Sequence, residues 1–342
     1  MKKWILILSL FTTFGFANEH QGYCPGYEIT VPNDDSCFHV YQSILYLRPN
    51  SDNLGWGVVT DFHHSAKPNW HIETIEPTYH AAFNLDLCYT FANSGINSEL
   101  NWTHLKTSDS QSRKVKPSIQ RISPFSQTGP GAEDTTLTKA HASVRYHFDS
   151  FTWNSGIRVN LGSNLKIRLD AGLSGIHLKQ KLHSRFERRG GGLPHISLNN
   201  TATFWGIGPR VGLDGAYSLC GNYSLVGGFG CGLLFGSQKP AQYRFSGSSS
   251  SNHGKISSHN VSHTVPFGEA NIGIGYDDKA WGWDYSLEAG YMGSLYLNPL
   301  RGYEAGTNKL PLELGSLATN SIKMVQSNFS MDGPYARLNI RF

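Results

Sequence analysis

The sequence predicts an all-β fold, an antiparallel transmembrane β-barrel of about 10 strands with 12 as the alternative, with short periplasmic turns and long external loops. Three observations predict it: long runs of period-two alternation, aromatic residues at the ends of the apolar faces, and regular alternation of short and long connections. Composition agrees. Only 16% of the 342 residues are charged, against roughly 25% in an average soluble domain, while Gly (37), Phe (18), Tyr (16) and Trp (8) are plentiful. The 39% hydrophobic fraction excludes a disordered chain, and beyond the N-terminus no window of 18 uncharged apolar residues offers a membrane-spanning helix. The 29 Lys and Arg against 25 Asp and Glu leave a net charge of +4, falling to +2 once Lys2 and Lys3 are removed with a leader. That is too weak for an electrostatic nucleic-acid binder, so no nucleic-acid partner is expected.

Lys2 and Lys3 form a basic head, residues 4–14 an apolar stretch, and Gly15, Phe16 and Ala17 a cleavage site with small residues where the peptidase needs them. This predicts a signal peptide over residues 1–17, an N-terminal periplasmic segment over 18–37 and a barrel over 38–342. At 1.5 Å per residue, about 11 apolar residues cannot cross roughly 30 Å of hydrocarbon. Five cysteines follow the leader: Cys24, Cys37, Cys88, Cys220 and Cys231. Cys24 and Cys37 make the best local pair, since Pro25, Gly26 and Pro32 lie between them, and the odd count leaves at least one thiol outside an intramolecular disulfide. No Cys-x-x-Cys supports a zinc ribbon or a redox motif.

Alternation is clearest where Tyr79, Ala81, Phe83, Leu85, Leu87, Tyr89 and Phe91 are interleaved with His80, Ala82, Asn84, Asp86, Cys88 and Thr90. It recurs at Thr138, Ala140, Ala142, Val144, Tyr146 and Phe148 against Lys139, His141, Ser143, Arg145, His147 and Asp149, and at Trp281, Trp283, Tyr285, Leu287, Ala289 and Tyr291 against Asp284, Ser286 and Glu288. Several runs reach the 9–11 residues that a tilted strand needs to span a bilayer, about twice a soluble strand. Rings at the ends of these faces suit an interfacial girdle, so every apolar face is expected to meet lipid. Short turns are expected near residues 92–95, 162–164, 218–222 and 277–280, and long polar connections at 48–78, 107–136, 186–202, 237–264 and 298–320. Between them lie ten strands, near 38–47, 79–91, 96–106, 137–161, 165–185, 203–217, 222–236, 265–276, 281–297 and 321–342. Residues 137–161 are overlong and change parity near Ser150, which predicts a bulge or a hidden turn. Alternation at 54–62 is the source of the twelve-strand alternative. The last strand puts Pro334, Ala336, Leu338, Ile340 and Phe342 on one face, and a terminal Phe342 on such a strand resembles the signal read by the outer-membrane barrel assembly machinery.

Several segments resemble a known family. Residues 43–49 (Ser-Ile-Leu-Tyr-Leu-Arg-Pro) with Leu54-Gly-Trp, residues 99–105 (Glu-Leu-Asn-Trp-Thr-His-Leu) and residues 205–213 (Trp-Gly-Ile-Gly-Pro-Arg-Val-Gly-Leu) leading to 223–230 are similar to the Legionella-type major outer membrane proteins, a pore-forming family. The resemblance runs from about Phe38 to Phe342 and rests on strand patterns. It implies a porin-like barrel of the bacterial outer membrane, letting small polar solutes or ions diffuse passively, with no catalytic residue and no cofactor. Its partners would be outer-membrane lipid and lipopolysaccharide and the assembly machinery, with self-association left open.

Parity assigns a lumen lining of Lys139, Arg145, Arg158, Lys166, Arg168, Arg210, Arg337 and Arg341, against Asp86, Glu99, Asp149, Asp170, Asp214, Glu269, Asp284 and Glu288. Eight against eight predicts weak ion selectivity. Eight-stranded barrels are already filled by side chains, so a ten-stranded bore is narrow and the same charges can plug it by pairing. His259 with His263, and His63 with His64, read as solvated loop pairs and not as metal sites. The rival from another class is a barrel hydrolase using His141 with Ser143 or His147 with Asp149, but no Gly-x-Ser-x-Gly accompanies them, so enzyme activity is not expected. A further alternative is a structural or adhesive barrel acting through loops 107–136 and 237–264.

Overall fold

The computed structural model describes residues 29–32, 35–61, 69–116, 118–124, 137–188, 195–246, 253–257, 259–280, 283–308 and 319–341. These form strands and turns, with no helix among the described residues. The strands are β1 (Ile29–Thr30), β2 (Cys37–Ser51), β3 (Gly55–Asp61), β4 (Asn69–Thr74), β5 (His80–Thr90), β6 (Ile96–Lys114), β7 (Gln120–Pro124), β8 (Leu137–Leu161), β9 (Leu165–Arg188), β10 (His195–Ser218), β11 (Tyr223–Ser246), β12 (His253–Ser257), β13 (Val261–Ala280), β14 (Trp283–Asn308) and β15 (Thr319–Arg341).

Ten of them close a ring in sequence order, β2, β5, β6, β8, β9, β10, β11, β13, β14 and β15, each antiparallel to its neighbours, with β15 returning to β2 through pairs such as Ile340–Val40 and Tyr335–Leu45. Closure leaves no unpaired edge among the described wall strands, as a span through hydrocarbon requires. The ten strands and the order of their connections agree with the sequence reading. Left-handed backbone marks the short turns: Asn93 (φ 53°) and Gly95 (φ 61°) after β5, Gly162 (φ 66°) after β8 and Gly221 (φ 58°) after β10. The fourth turn is later than expected, because β13 and β14 stay paired out to Ala280 and Trp283.

Residues 55–61 do not add to the wall. Among the described residues β3 pairs only with β4 and β7, in a separate three-stranded sheet built from the external connections, so the twelve-strand alternative falls. This sheet turns Trp56, Val59 and Ile122 onto the barrel's interior, where the Trp56 ring lies 6.0 Å from that of Phe186 on β9. Its alternation belongs to a strand covered on one side by protein, which the sequence pattern alone does not distinguish from a strand facing lipid.

The strands are far longer than a bilayer needs. β8, β9, β10, β11, β14 and β15 run 25, 24, 24, 24, 26 and 23 residues, against the roughly 9–11 that cross hydrocarbon. The barrel therefore projects beyond the membrane on the side of the long connections. Toward the short turns, the outer face is apolar and aromatic, with Phe151, Trp153 and Ile157 on β8, Leu169 and Leu173 on β9, and Trp205, Ile207, Val211 and Leu213 on β10 all exposed. Toward the long connections, the same outer positions carry Asp149, His147 and Arg145 on β8 and His177, Lys179 and Lys181 on β9.

This overturns two expectations. β8 is one uninterrupted strand, paired residue for residue with β6 from Ile157 to Lys139, with neither bulge nor turn at Ser150. Its parity never changes. Ala140, Ala142, Val144, Tyr146 and Phe148 share the inward face with Ser150, Thr152 and Asn154, and all are buried. The apolar run read as lipid-facing is interior core, while Lys139, Arg145 and Asp149, read as lumen-lining, stand on the outer wall. The surroundings invert at that level: outside the barrel water replaces lipid, while the interior is sealed from water and packed.

Candidate functional site: the barrel lumen

The lumen has two chemically distinct zones. In the half nearer the short turns, inward parity delivers polar and charged side chains from nearly every strand. Arg168 of β9 reaches Glu99 of β6 (2.8 Å) and Asp214 of β10 (3.0 Å) through Nη1, and its Nε donates to Asn97 Oδ1 at 3.1 Å. Arg210 of β10 pairs with Asp170 (2.6 Å), and its Nη2 with Glu269 of β13 (2.6 Å). On the other side of the ring, Arg337 of β15 lies 3.6 Å from Glu288 of β14, and its Nε donates to Ser43 Oγ of β2 at 3.2 Å. Tyr335 donates to Glu288, and Asn101 donates to Asp86. Fixed opposite charges at these distances offset the cost of removing each ion from water, whereas an isolated one would be strongly destabilising.

Glycines make room for the guanidinium. A Cβ on Gly212 would lie 2.5 Å from Asp170 Oδ2 and 2.8 Å from Arg210 Nη1, and one on Gly230 would lie 2.7 Å from Arg210 Nη2. The zone is wet in part: Asp214 and Glu269 keep 48% and 34% of their side-chain surface while Asp170 keeps 1%.

Above it the lumen is closed by rings. Phe148 of β8 and Tyr296 of β14 stand on strands five places apart around the ten-membered ring, that is, diametrically opposite, yet their centroids are 5.7 Å apart. Phe329 of β15 lies 5.8 Å from Phe148 and 5.4 Å from Tyr146, and Phe267 of β13 stacks on Tyr296 at 5.6 Å. A defect in β14 adds to the plug. The register with β15 slips between Tyr296 and Leu300, Asn298 takes φ 59°, and the bulged carbonyls of Asn298 and Pro299 accept from Gln238 Nε2 of β11 at 3.0 and 3.1 Å. Over the rings, Gln180 of β9 donates to Ser51 (2.9 Å) and Asn53 (2.8 Å), while Ser51 Oγ meets Tyr146 OH at 2.6 Å.

Of the sixteen residues assigned to the lumen, Lys139, Arg145 and Asp149 are outside it. The other thirteen occupy inward positions, with Lys166, Asp284 and Arg341 at the mouth near the short turns and the rest above them. Six basic residues then face seven acidic ones, so the near balance survives. Sequence reading missed the ring layer, because Tyr146 and Phe148 alternate just as lipid-facing residues do; the outward charges opposite them were the available signal. His141 and Ser143, and His147 and Asp149, also face outward, with His141 bonded to Ser112 (2.8 Å) and His147 3.1 Å from Asp149. His263, the third residue of β13, faces inward while His259 is exposed, so the two do not act as a pair. Cys37, Cys88, Cys220 and Cys231 carry free thiols. Cys24, the leader, His63, His64, Trp281 and Phe342 lie outside the described residues.

A family model described as the Legionella pneumophila major outer membrane protein precursor matches residues 30–342. The chain belongs to that family. It is thus an outer-membrane β-barrel, and its bacterial outer-membrane location follows from the family together with the lipid-facing belt. No curated protein sequence matches it. Among solved structures it is similar to the outer membrane protease OmpT from Escherichia coli (12% identity, 92% of this chain and 98% of that chain, TM-score 0.43). It is also similar to the translocator domain of the autotransporter NalP from Neisseria meningitidis (12%, 91% and 89%, 0.35) and to the P. putida toluene transporter TodX (11%, 90% and 90%, 0.32). None of these likenesses is close enough to carry an activity or a site residue across.

Proposed function

We propose that this family member is a narrow, gated outer-membrane pore for small polar solutes or ions, with its gate shut in this structure. The observation that supports the reading is the division of the lumen: a charged, partly hydrated vestibule on one side, and on the other a packed plug that begins with the aromatic layer and continues to Trp56 and Phe186. Wall charges of both signs in near balance favour weak ion selectivity, since selectivity follows the net sign of the wall. Passage requires the Phe148, Tyr296 and Phe329 rings to part and the Trp56 cap beyond them to lift, which limits conductance to brief openings.

The test is reconstitution into planar bilayers with current recorded across salt gradients. The wild-type barrel is expected to give small, intermittent steps with a reversal potential near zero. Tyr296→Ala with Phe329→Ala is expected to give larger and longer steps, with gel mobility before and after boiling confirming a closed barrel. Current indistinguishable from bare bilayer in both proteins overturns the pore. The filled lumen favours a second reading, a structural or adhesive barrel acting through its external face. Cell attachment lost on deletion of residues 125–136, with no conductance in the parent protein, supports that reading over the pore.

A further inference from the structure

Outside the lumen, three neighbouring strands gather histidines around one carboxylate. His104 of β6, Asp149 of β8 and His177 of β9 are direct partners in the ladder, and His147 stands on the same outer face two residues from Asp149. Asp149 Oδ1 lies 2.7 Å from His104 Nδ1, and its Oδ2 lies 3.1 Å from His147 Nε2 and 4.0 Å from His177 Nδ1. The rings meet edge-on, His104 with His147 at 5.4 Å and 82°, His147 with His177 at 5.9 Å and 79°. The ligand atoms of His104, His147 and Asp149 all lie within 4.8 Å of one another.

We propose that His104, His147, His177 and Asp149 form a binding site for a divalent transition-metal cation of the zinc class on the outer wall of the barrel. Three imidazole nitrogens and one carboxylate oxygen are a donor set that suits a tetrahedral ion, with metal–nitrogen bonds of about 2.0–2.1 Å. Calcium and magnesium prefer oxygen shells and are poorly served here. The ladder fixes three adjacent backbones, so drawing the donors together needs rotation about side-chain bonds only. A binding cation replaces the ring-to-carboxylate contacts that Asp149 now makes. A pair of cross-strand partners would account for a purely structural role, whereas three rings from three strands converging on one carboxylate is the arrangement a metal uses.

The surroundings set the affinity and supply a reporter. Lys106 and Lys179 flank His147 in the next row of the ladder and oppose a bound cation, so the site is weaker than its donors alone would make it. Just below, at the upper edge of the apolar belt, Trp102 stacks on Phe151 at 5.9 Å, with its ring 6.1 Å from that of His104. A paramagnetic ion held by His104 therefore quenches Trp102 fluorescence.

The experiment uses the refolded full-length barrel in detergent, titrated with Zn²⁺ by calorimetry and with Cu²⁺ by fluorescence. One equivalent of Zn²⁺ per chain is expected, not displaced by excess Mg²⁺. His147→Ala and His177→Ala, each checked for heat-modifiable gel mobility, are expected to weaken binding at least tenfold, and Lys106→Ala to strengthen it. Trp102→Phe combined with Trp205→Phe, Trp205 being the direct ladder partner of His177, is expected to abolish most of the saturable Cu²⁺ quench while leaving Zn²⁺ heats in place. If His177→Ala proves unstable, the conservative His177→Gln carries the same expectation. Absence of saturable binding, or saturable binding unchanged in both His147→Ala and His177→Ala, overturns the site; the latter result assigns the metal to histidines elsewhere, such as exposed His259.

Discussion

Along β8, residues on either side of Ser150 obey opposite rules on the same two faces. Toward the short turns, Phe151, Trp153 and Ile157 point out while Thr152 and Asn154 point in; beyond Ser150, Arg145, His147 and Asp149 point out while Val144, Tyr146 and Phe148 point in. Neighbouring β9 repeats the exchange, from Leu169 outside and Asp170 inside to Lys181 outside and Leu178 inside. The backbone does nothing at the boundary. What changes is the medium outside, from hydrocarbon to water, and with it the demand on the interior. Where lipid covers the outside, the barrel can hold a hydrated polar interior, as large membrane barrels do. Where water covers the outside, it needs an apolar core like any soluble β-structure.

The largest effect should come from the core of the projecting half. Phe329→Ala is expected to cost about 3–5 kcal/mol, the range for a fully buried ring, because Phe329 touches Tyr146, Phe148 and Tyr296. Reversible urea unfolding measures it, and a loss below about 1 kcal/mol would mean that the interior at this level is loose and wet. Of similar size is Arg210→Ala in the other half, expected to cost about 3–5 kcal/mol by stranding Asp170 and Glu269. Adding Asp170→Asn should recover part of that loss, and no recovery would show that the ion pair is not what holds this zone.

A sharper comparison uses one strand and one face. Leu169→Arg on the lipid-facing part of β9 is expected to destabilise by about 2–4 kcal/mol, whereas Lys181→Leu, six outward positions further along, should change stability by less than about 0.5 kcal/mol. Equal costs at the two sites would place the membrane boundary elsewhere. The most local expected effect is from Trp56→Ala on the external sheet, which empties a buried site and loosens the cap over Phe186 without unfolding the ring. It should show as faster limited proteolysis near residues 54–75 while the boiled and unboiled gel mobilities stay distinct.

Much of the fold was legible because the signals were local. Strand starts and ends follow from Asn93, Gly95, Gly162 and Gly221 and from period-two alternation, both readable within a few residues. The charged vestibule was legible for the same reason: Arg168, Asp170, Arg210 and Glu288 alternate with residues as greasy as Leu169 and Leu287, so their parity pointed inward. Free Cys37 and Cys88, one on each of two paired strands, show nothing of themselves in spacing. The ring layer and the histidine cluster were not legible, because each joins residues tens to hundreds of positions apart. Phe148 meets Tyr296 and Phe329 across the bore, and His104 meets Asp149 and His177 across three strands.

By itself the amino-acid order determined that ten alternating strands would pair with their neighbours and close, since alternation and turn residues act over a few positions. Which face is inside beyond the membrane belt, as at Val144 and Phe148 on β8, was decided only by the closed barrel set in its two media. Alternation records that two sides differ, and it carries no label for whether lipid, water or protein lies against the greasier one.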